Sequence, residues 1–350
     1  MDSAYTSTKA LNDGPRLSIL KLQNQLTEAQ QELSSGRLAD VGLTLGGRTN
    51  ETVSLRAQLA HYNTITDTNS VVTTRIDTSQ TVITSLIDNA QKFVNSLIAS
   101  RNADTGPSVA QGEAKADLTA LVAGLNTAVG GEYIFGGINT SVKPVTDYYG
   151  TPTPANQAAV ASAFTAAFGT TQSDPTNTNI SSASMQSFLD GAFSSLFDDP
   201  AWSSDWSSAS NQNITSRIST SEDVESSANA NEDGFRKLAK AYTMVADLGV
   251  TNLNSDTFGA VVDTATKLVS SAIQDLTATQ ARLGTSSARV EASNQKMSLQ
   301  LNVINTQIDN LEKVDPYEAS TKVTTLMTQL ETSYALTARV LNLTILNYLQ

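Results

Sequence analysis

The sequence predicts a mainly α protein: a long helical-bundle or coiled-coil rod built from the N- and C-terminal segments, with a small β-containing inserted domain. Three observations carry this reading. Glycine and proline are absent from Arg16 to Ser35, from Glu51 to Thr105, from Ala260 to Leu283 with Thr285 to Asp315, and from Tyr317 onward, which is what continuous helices require. Within Glu51 to Leu97, the apolar residues Leu55, Leu59, Tyr62, Ile65, Val72, Ile76, Ile83, Leu86, Ala90, Phe93 and Leu97 recur close to a 4,3 spacing, the stripe of a helix buried along one side. From Ile138 to about Ser210 the composition changes: five of the eight prolines lie there, separated by Ala/Ser/Thr/Asn-rich sequence.

The first helix follows Gly14-Pro15, repeats the spacing with Leu22, Leu26, Ala29 and Leu33, and stops before Gly36. The β-branched run at Val71-Val72-Thr73-Thr74 does not alternate, so the helical period prevails over a strand there. Forty-seven residues of helix from Glu51 to Leu97 would span roughly 70 Å, beyond the roughly 30 Å of a small domain. A further helix from about Val109 to Val129 carries Ala114, Leu118, Leu121, Leu125 and Val129 on one side and ends at Gly130-Gly131. Glu132-Tyr133-Ile134-Phe135, between two glycine pairs, reads as a strand or hairpin corner. After residue 210, Ile214 to Thr220 alternates as a strand, and helical patterns return over about Asn229–Leu248 and Asp256–Leu311, with natural breaks at Gly284 or Pro316. The expected domains are 1–48 with 316–350 as terminal assembly helices, 49–137 with 211–315 as a helical rod, and 138–210 as an inserted, outward-facing β-rich or loop module.

Composition argues against an enzyme. There is no cysteine, hence no disulfide, thiolate metal site or cysteine nucleophile, and His61 is the only histidine. Ser54 and Thr64 share its helix, but no G-x-S-x-G elbow accompanies it, and a surface histidine is the plainer reading. Asp198-Asp199, Glu222-Asp223 and Glu232-Asp233 lack calcium-loop spacing, and the last pair reads as a helix cap. The glycine pairs meet neither phosphate-binding pattern. Trp202 and Trp206 read as core anchors of the insert. No metal or cofactor is expected. A net charge of −12 opposes nucleic acid and anionic membranes. Leu336 to Leu349 is interrupted and shorter than the roughly 20 residues of a membrane helix, and Met1 to Arg16 lacks the apolar run of a secretory signal.

The terminal helices are the sharper feature. Residues 1–48 carry five basic and five acidic residues, and 316–350 two of each, whereas 138–210 has one basic residue, Lys143, against six acids. Neutral helices pack against copies of themselves without repulsion. From Tyr334 to Leu349, eleven of sixteen residues are apolar and occupy more than one face, which calls for several neighbours. The expected assembly interface brings Leu22, Leu26 and Leu33 together with Leu330, Tyr334, Leu341, Ile345, Tyr348 and Leu349.

Three segments resemble the flagellin superfamily, and within it the hook-associated proteins of the hook-filament junction (FlgL type). Glu32-Leu33-Ser34-Ser35-Gly36-Arg37 resembles the L-S-S-G-[KR] signature that ends the first helix of the family. Gly131-Glu132-Tyr133-Ile134-Phe135-Gly136-Gly137 is similar to the G-E-Y-[LI]-F-[SG]-G segment of the junction type, and Leu341 to Leu349 resembles the closing [LS]-x-L-[FL]-[ND]-Y-L. After Arg37, Leu38-Ala39-Asp40-Val41-Gly42 departs from the family's paired Asp and Pro. The resemblance implies a non-enzymatic extracellular subunit, exported through the flagellar type III apparatus with an export chaperone. Its terminal helices would pair as a coiled coil when copies stack around a lumen, with a neighbouring hook-associated protein and flagellin as further partners. A filament-forming flagellin and a secreted surface adhesin using the acidic insert are the alternatives.

Overall fold

A computed structural model describes residues 8–342, with side chains from 13 to 339. The described chain is mainly helical: α1 (Thr8–Ser35), α2 (Val41–Leu45), α3 (Thr49–Ser100), α4 (Gly106–Leu125), α5 (Ala155–Phe168), α6 (Ser182–Asp190), α7 (Asp233–Asp247), α8 (Ser255–Glu312) and α9 (Pro316–Asn342). Two short antiparallel hairpins complete it, β1 (Ala128–Val129) with β2 (Glu132–Tyr133) and β3 (Thr215–Arg217) with β4 (Asp223–Glu225). The fold class read from the sequence is the one observed. The chain divides into two compact units, residues 1–64 with 297–350, and residues 65–296.

In the 65–296 unit, the stripe of α3 from Val72 through Ile76, Ile83, Leu86, Ala90 and Phe93 to Leu97 is buried, and it shares one core with α4, α7 and α8. Two wholly buried positions on α3 are polar. Asn69 is fully buried and donates from Nδ2 to the carbonyl of Ile218 at 2.9 Å and to Asn294 Oδ1 at 2.7 Å. Ser79 turns its hydroxyl back to the carbonyl of Arg75 at 2.8 Å, so neither interrupts the helix.

Several boundaries differ from expectation. Helix α1 starts at Thr8 and runs through Pro15, its eighth residue, where the missing N–H removes one hydrogen bond of the helix. Helix α8 runs through Gly284 unbroken. A helical glycine costs only about 1 kcal/mol, and the buried row Leu276, Leu283, Val290 on either side outweighs it. Helix α4 stops at Leu125, four residues early, because Val129 joins β1. Gly130 and Gly131 both have positive φ (62° and 88°), the requirement of a tight two-residue hairpin turn.

Between residues 138 and 210 the interior is helical, with α5, α6 and short 3₁₀ and π turns, and the β-hairpins lie on either side of it in sequence. An aromatic core organises this segment: Tyr148, Trp206 and Trp202 stack at 5.3 and 5.5 Å, and Phe197, Phe193, Phe188 and Phe164 continue the cluster. Both tryptophans are buried, Trp202 Nε1 donates to Asn231 Oδ1 at 2.8 Å, and the Arg236 guanidinium sits 5.5 Å from the Trp202 ring. They are core, as expected.

The Gly131–Gly137 segment marks where the chain leaves for this module and returns. Phe135 is buried edge-on against Phe235, its carbonyl accepts from Ala230 N at 2.9 Å, and Arg75 pairs with Glu132 at 2.6 Å. Gly137 has φ 61°, and a Cβ there would lie 2.5 and 2.6 Å from the carbonyl oxygens of Ser210 and Gln212. Gly137→Ala should therefore lower unfolding stability by about 2–4 kcal/mol, combining strain with a backbone clash; a loss under about 0.5 kcal/mol in urea titrations would contradict this close approach.

Burial, reinforced by Glu113 and opposed by Lys92, pushes the Asp117 carboxyl up to about 6. A folded-state value above the unfolded one means that stability from this group is present at low pH and declines as pH rises from about 4 to 6. Asp117→Asn should stabilise the protein at pH 8 by about 1 kcal/mol, a figure reduced for partial solvation, and be near neutral at pH 4. Urea titrations at the two pH values check it, and an equal effect at both would refute it.

Candidate assembly interface

Helix α1 ends at a glycine cap. Gly36 adopts φ 68° and its N–H donates to the carbonyl of Glu32 at 2.9 Å, a helix stop that a side chain at this position would strain. The Ser35 hydroxyl then receives Arg37 N–H at 3.2 Å and turns the chain outward. Immediately beyond, Leu38 N–H donates to the carbonyl of Glu312 at 2.8 Å and Val314 N–H to that of Gly36 at 3.0 Å. This antiparallel bridge between Arg37 and Lys313 ties the end of α1 to the junction of α8 and α9.

A buried carboxylate sits at that junction. The Glu312 side chain is wholly excluded from solvent, receives Arg56 Nε at 2.8 Å and the second Arg56 nitrogen on its other oxygen, and lies 3.5 Å from Arg37. Arg37 also pairs with Asp309 at 2.9 Å. Arg56 hydrogen bonding, acting against burial, holds the Glu312 carboxyl below the usual range, and the same contact raises Arg56. Leu55, Ile304, Ile308 and Leu311 form a small apolar cluster in the same unit, with Leu45, Leu59 and Tyr62 against it.

From this anchor α1 and α9 pack antiparallel: Lys322 Nζ reaches Glu32 at 2.9 Å, and twelve residues further along α9 Gln23 Nε2 donates to Tyr334 Oη at 2.8 Å. The pair buries little. Ala29, Glu32, Ala319 and Leu326 are the residues of α1 and α9 that are buried among those described. Leu17 is 66% exposed, Leu336 56%, Tyr334 48% and Leu33 40%, with Leu20 and Met327 similar. A groove between the helices is lined by Ser18, Leu22, Thr324, Thr328 and Thr332. The threonine hydroxyls at 324, 328 and 332 bond back to the carbonyls of Ser320, Thr324 and Thr328. Their donor is thereby used within the helix, and α9 is less polar than its composition suggests.

Of the expected interface residues, Leu22, Leu26 and Leu330 are half-buried, and Leu33 and Tyr334 exposed. Leu341 belongs to α9 but its side chain lies outside the described set, and Ile345, Tyr348 and Leu349 lie outside the described residues. Reasoning from periodicity missed Glu312, Arg56 and Asp309, because charged residues carry no hydrophobic period. His61 is exposed on α3, its ring 6.1 Å from that of Tyr62. Glu232 occupies the first cap position of α7 without making a side-chain cap; its carboxylate instead takes Arg282 at 2.6 Å and the Thr279 hydroxyl at 2.6 Å, which corrects the capping expectation. Among the described residues, no cluster of three or more metal-binding side chains occurs, and no helix is long and apolar enough to cross a membrane.

Residues 7–140 match the family model of the bacterial flagellin N-terminal helical region, and residues 266–349 that of the bacterial flagellin C-terminal helical region. The two matches together cover more than half of the chain, including α1, most of α8 and all of α9. The chain belongs to the flagellin family. It is thus a structural subunit of the bacterial flagellum. No curated protein sequence matches it. Among solved structures, a chain described as a flagellar hook-associated protein from Vibrio parahaemolyticus shares the fold, with TM-score 0.51 and 8% identity over 76% of this chain and 97% of that one. In this flagellin-family chain the L-S-S-G-R signature is a physical device, a glycine stop followed by an arginine that reaches a buried glutamate.

Glu312→Gln should lower the stability of the unit containing the termini by about 1–3 kcal/mol, since it leaves two guanidiniums facing a neutral group. Because the folded carboxyl is held below its ordinary value, wild-type stability from this contact is present above about pH 4.5 and lost as pH falls through the folded value. Hydrogen exchange of residues 36–40 and 309–316 at pH 7 reads this directly, and unchanged protection in the variant would contradict it.

Proposed function

We propose that this flagellin-family chain is the adaptor subunit of the hook-filament junction, assembling through its terminal helices into a homo-oligomeric layer of the axial structure. The observation that carries the reading is the apolar surface that α1 and α9 leave open: Leu17, Leu20, Leu33, Met327, Tyr334 and Leu336 are exposed on a helix pair with little core of its own. Exposed apolar side chains in such concentration mark an interaction surface. Covering one Leu side chain contributes about 1.5–3 kcal/mol, so a few per neighbour hold a subunit in place. Leu341, Ile345, Tyr348 and Leu349 extend the same apolar sequence and belong to the proposed interface.

Two features favour the junction over the filament: the resemblance of Gly131–Gly137 to the junction-type segment, and the likeness of fold to a chain described as hook-associated. On this reading the neighbours are another hook-associated protein and flagellin, the location is extracellular, and export runs through the flagellar type III apparatus with a chaperone. Residues 138–210 are the outward module, and the remainder of 49–315 the rod domain. The family models describe flagellin itself, which favours a filament-forming subunit as the second reading.

In-frame deletion of the gene in its host, scored by electron microscopy, separates the two. Bare hooks with flagellin released into the medium are expected; intact filaments would overturn the junction role. Truncation of the last fifteen residues should leave a folded monomer that does not join the hook tip.

A further inference from the structure

A second surface feature lies in the part of the chain that neither family match covers. Residues 167–192 frame a groove of about 790 Å³ between the end of α5, the 3₁₀ turn Pro175–Asn179 and the start of α6. All of its lining residues are uncharged, although residues 138–210 carry a net charge of −5. The half-buried ring of Phe168 lies on one wall, held tilted against Phe164 at 4.8 Å and edge-on to Phe188 at 5.2 Å. Ala167, Ile180 and Ala192 add small apolar surface, and the remaining lining side chains carry hydroxyl and amide groups.

Those polar groups are fixed but not used up. Thr170 donates its hydroxyl to Asn177 Oδ1 at 2.6 Å and Ser187 to the carbonyl of Ala183 at 3.0 Å, so each keeps lone pairs as acceptors. Ser181 and Ser184 share one hydroxyl hydrogen bond at 2.9 Å, which leaves one hydroxyl proton to donate. Asn177 is buried and tied by Nδ2 to the carbonyl of Thr171 at 2.8 Å, which pins the rim. Asn179 is exposed at the lip, and its amide has no hydrogen-bond partner among the described residues.

We propose that this groove binds a neutral sugar. The wall offers an anion no ammonium or guanidinium and a cation no carboxylate of its own, the adjacent Asp174 being engaged by the N–H and hydroxyl of Thr176 at 2.8 and 2.6 Å. An extended peptide added to a sheet needs an open strand edge, and the frame is made of helices and 3₁₀ turns. A pyranose meets both halves of the lining: its C–H face packs on an aromatic ring, and its hydroxyls, each donor and acceptor, match fixed hydroxyls and an amide. The groove and the terminal helices share no residue, so this inference stands apart from the junction reading.

Saturation-transfer NMR on the full chain with the methyl glycosides of glucose, galactose, mannose and N-acetylglucosamine tests it. Transfer to the ring protons of at least one is expected, with binding about tenfold weaker in Phe168→Ala, the loss of one aromatic contact. Because Phe168 also packs internally, Asn179→Ala is the deciding variant: exposed and unpartnered, it should fold as the wild type and still bind several-fold more weakly. No transfer to any of the four sugars, or binding unchanged in Asn179→Ala, would overturn the proposal.

Discussion

A carboxylate removed from water must be matched by charge and hydrogen bonds, and Glu312 is matched by Arg56 and Arg37. This requirement fixes more than one local contact. Arg37 can reach Glu312 because Gly36 stops α1 one residue earlier, and Val314 can bond Gly36 because α8 ends at Glu312. The ends of three long helices are therefore set at one point. The pairing of α1 with α9 follows from there, since each leaves the anchor in a direction that its backbone bridge has already set.

What the anchor sets up, packing does not complete. Two helices can cover one face of each other, and the remaining apolar residues need a further layer. An isolated helix pair is marginal in water, and here Ala29, Ala319 and Leu326 are all that α1 and α9 bury of apolar side chains among the described residues. The 65–296 unit is different: it encloses a continuous core from α3, α4, α7 and α8 to the aromatic cluster of the module. One unit carries its own stability, and the other carries the surfaces that copies of the chain would cover, a division suited to a subunit that folds before it assembles.

The helical fold was legible because its driving term is periodic. Positions 72, 76, 83, 86, 90, 93 and 97 announce the buried side of α3 in sequence, and every one is buried. The hairpin at Gly130-Gly131 was legible from its turn residues. Helix α1 runs through Pro15 and α8 through Gly284, where the buried row on either side outweighs a local breaker, while the alternative break at Pro316 is where α9 begins. The helices inside 138–210 were obscured by Ala/Ser/Thr/Asn-rich sequence, where burial comes from phenylalanines and tryptophans brought together from distant turns. The Glu312 anchor left no pattern to read: Arg37, Arg56 and Glu312 are far apart in sequence and ordinary in kind, although Arg37 lay inside a motif that the family resemblance had already singled out.

The central claim is that the apolar surfaces of α1 and α9 are the surfaces that assembly covers. Hydrogen exchange of residues 8–35 and 316–342, compared between the soluble monomer and subunits in the axial structure, tests it most directly. A rise in protection by orders of magnitude over both helices, with residues 72–97 little changed, is the predicted result. Equal protection of the terminal helices in the two states would contradict the account.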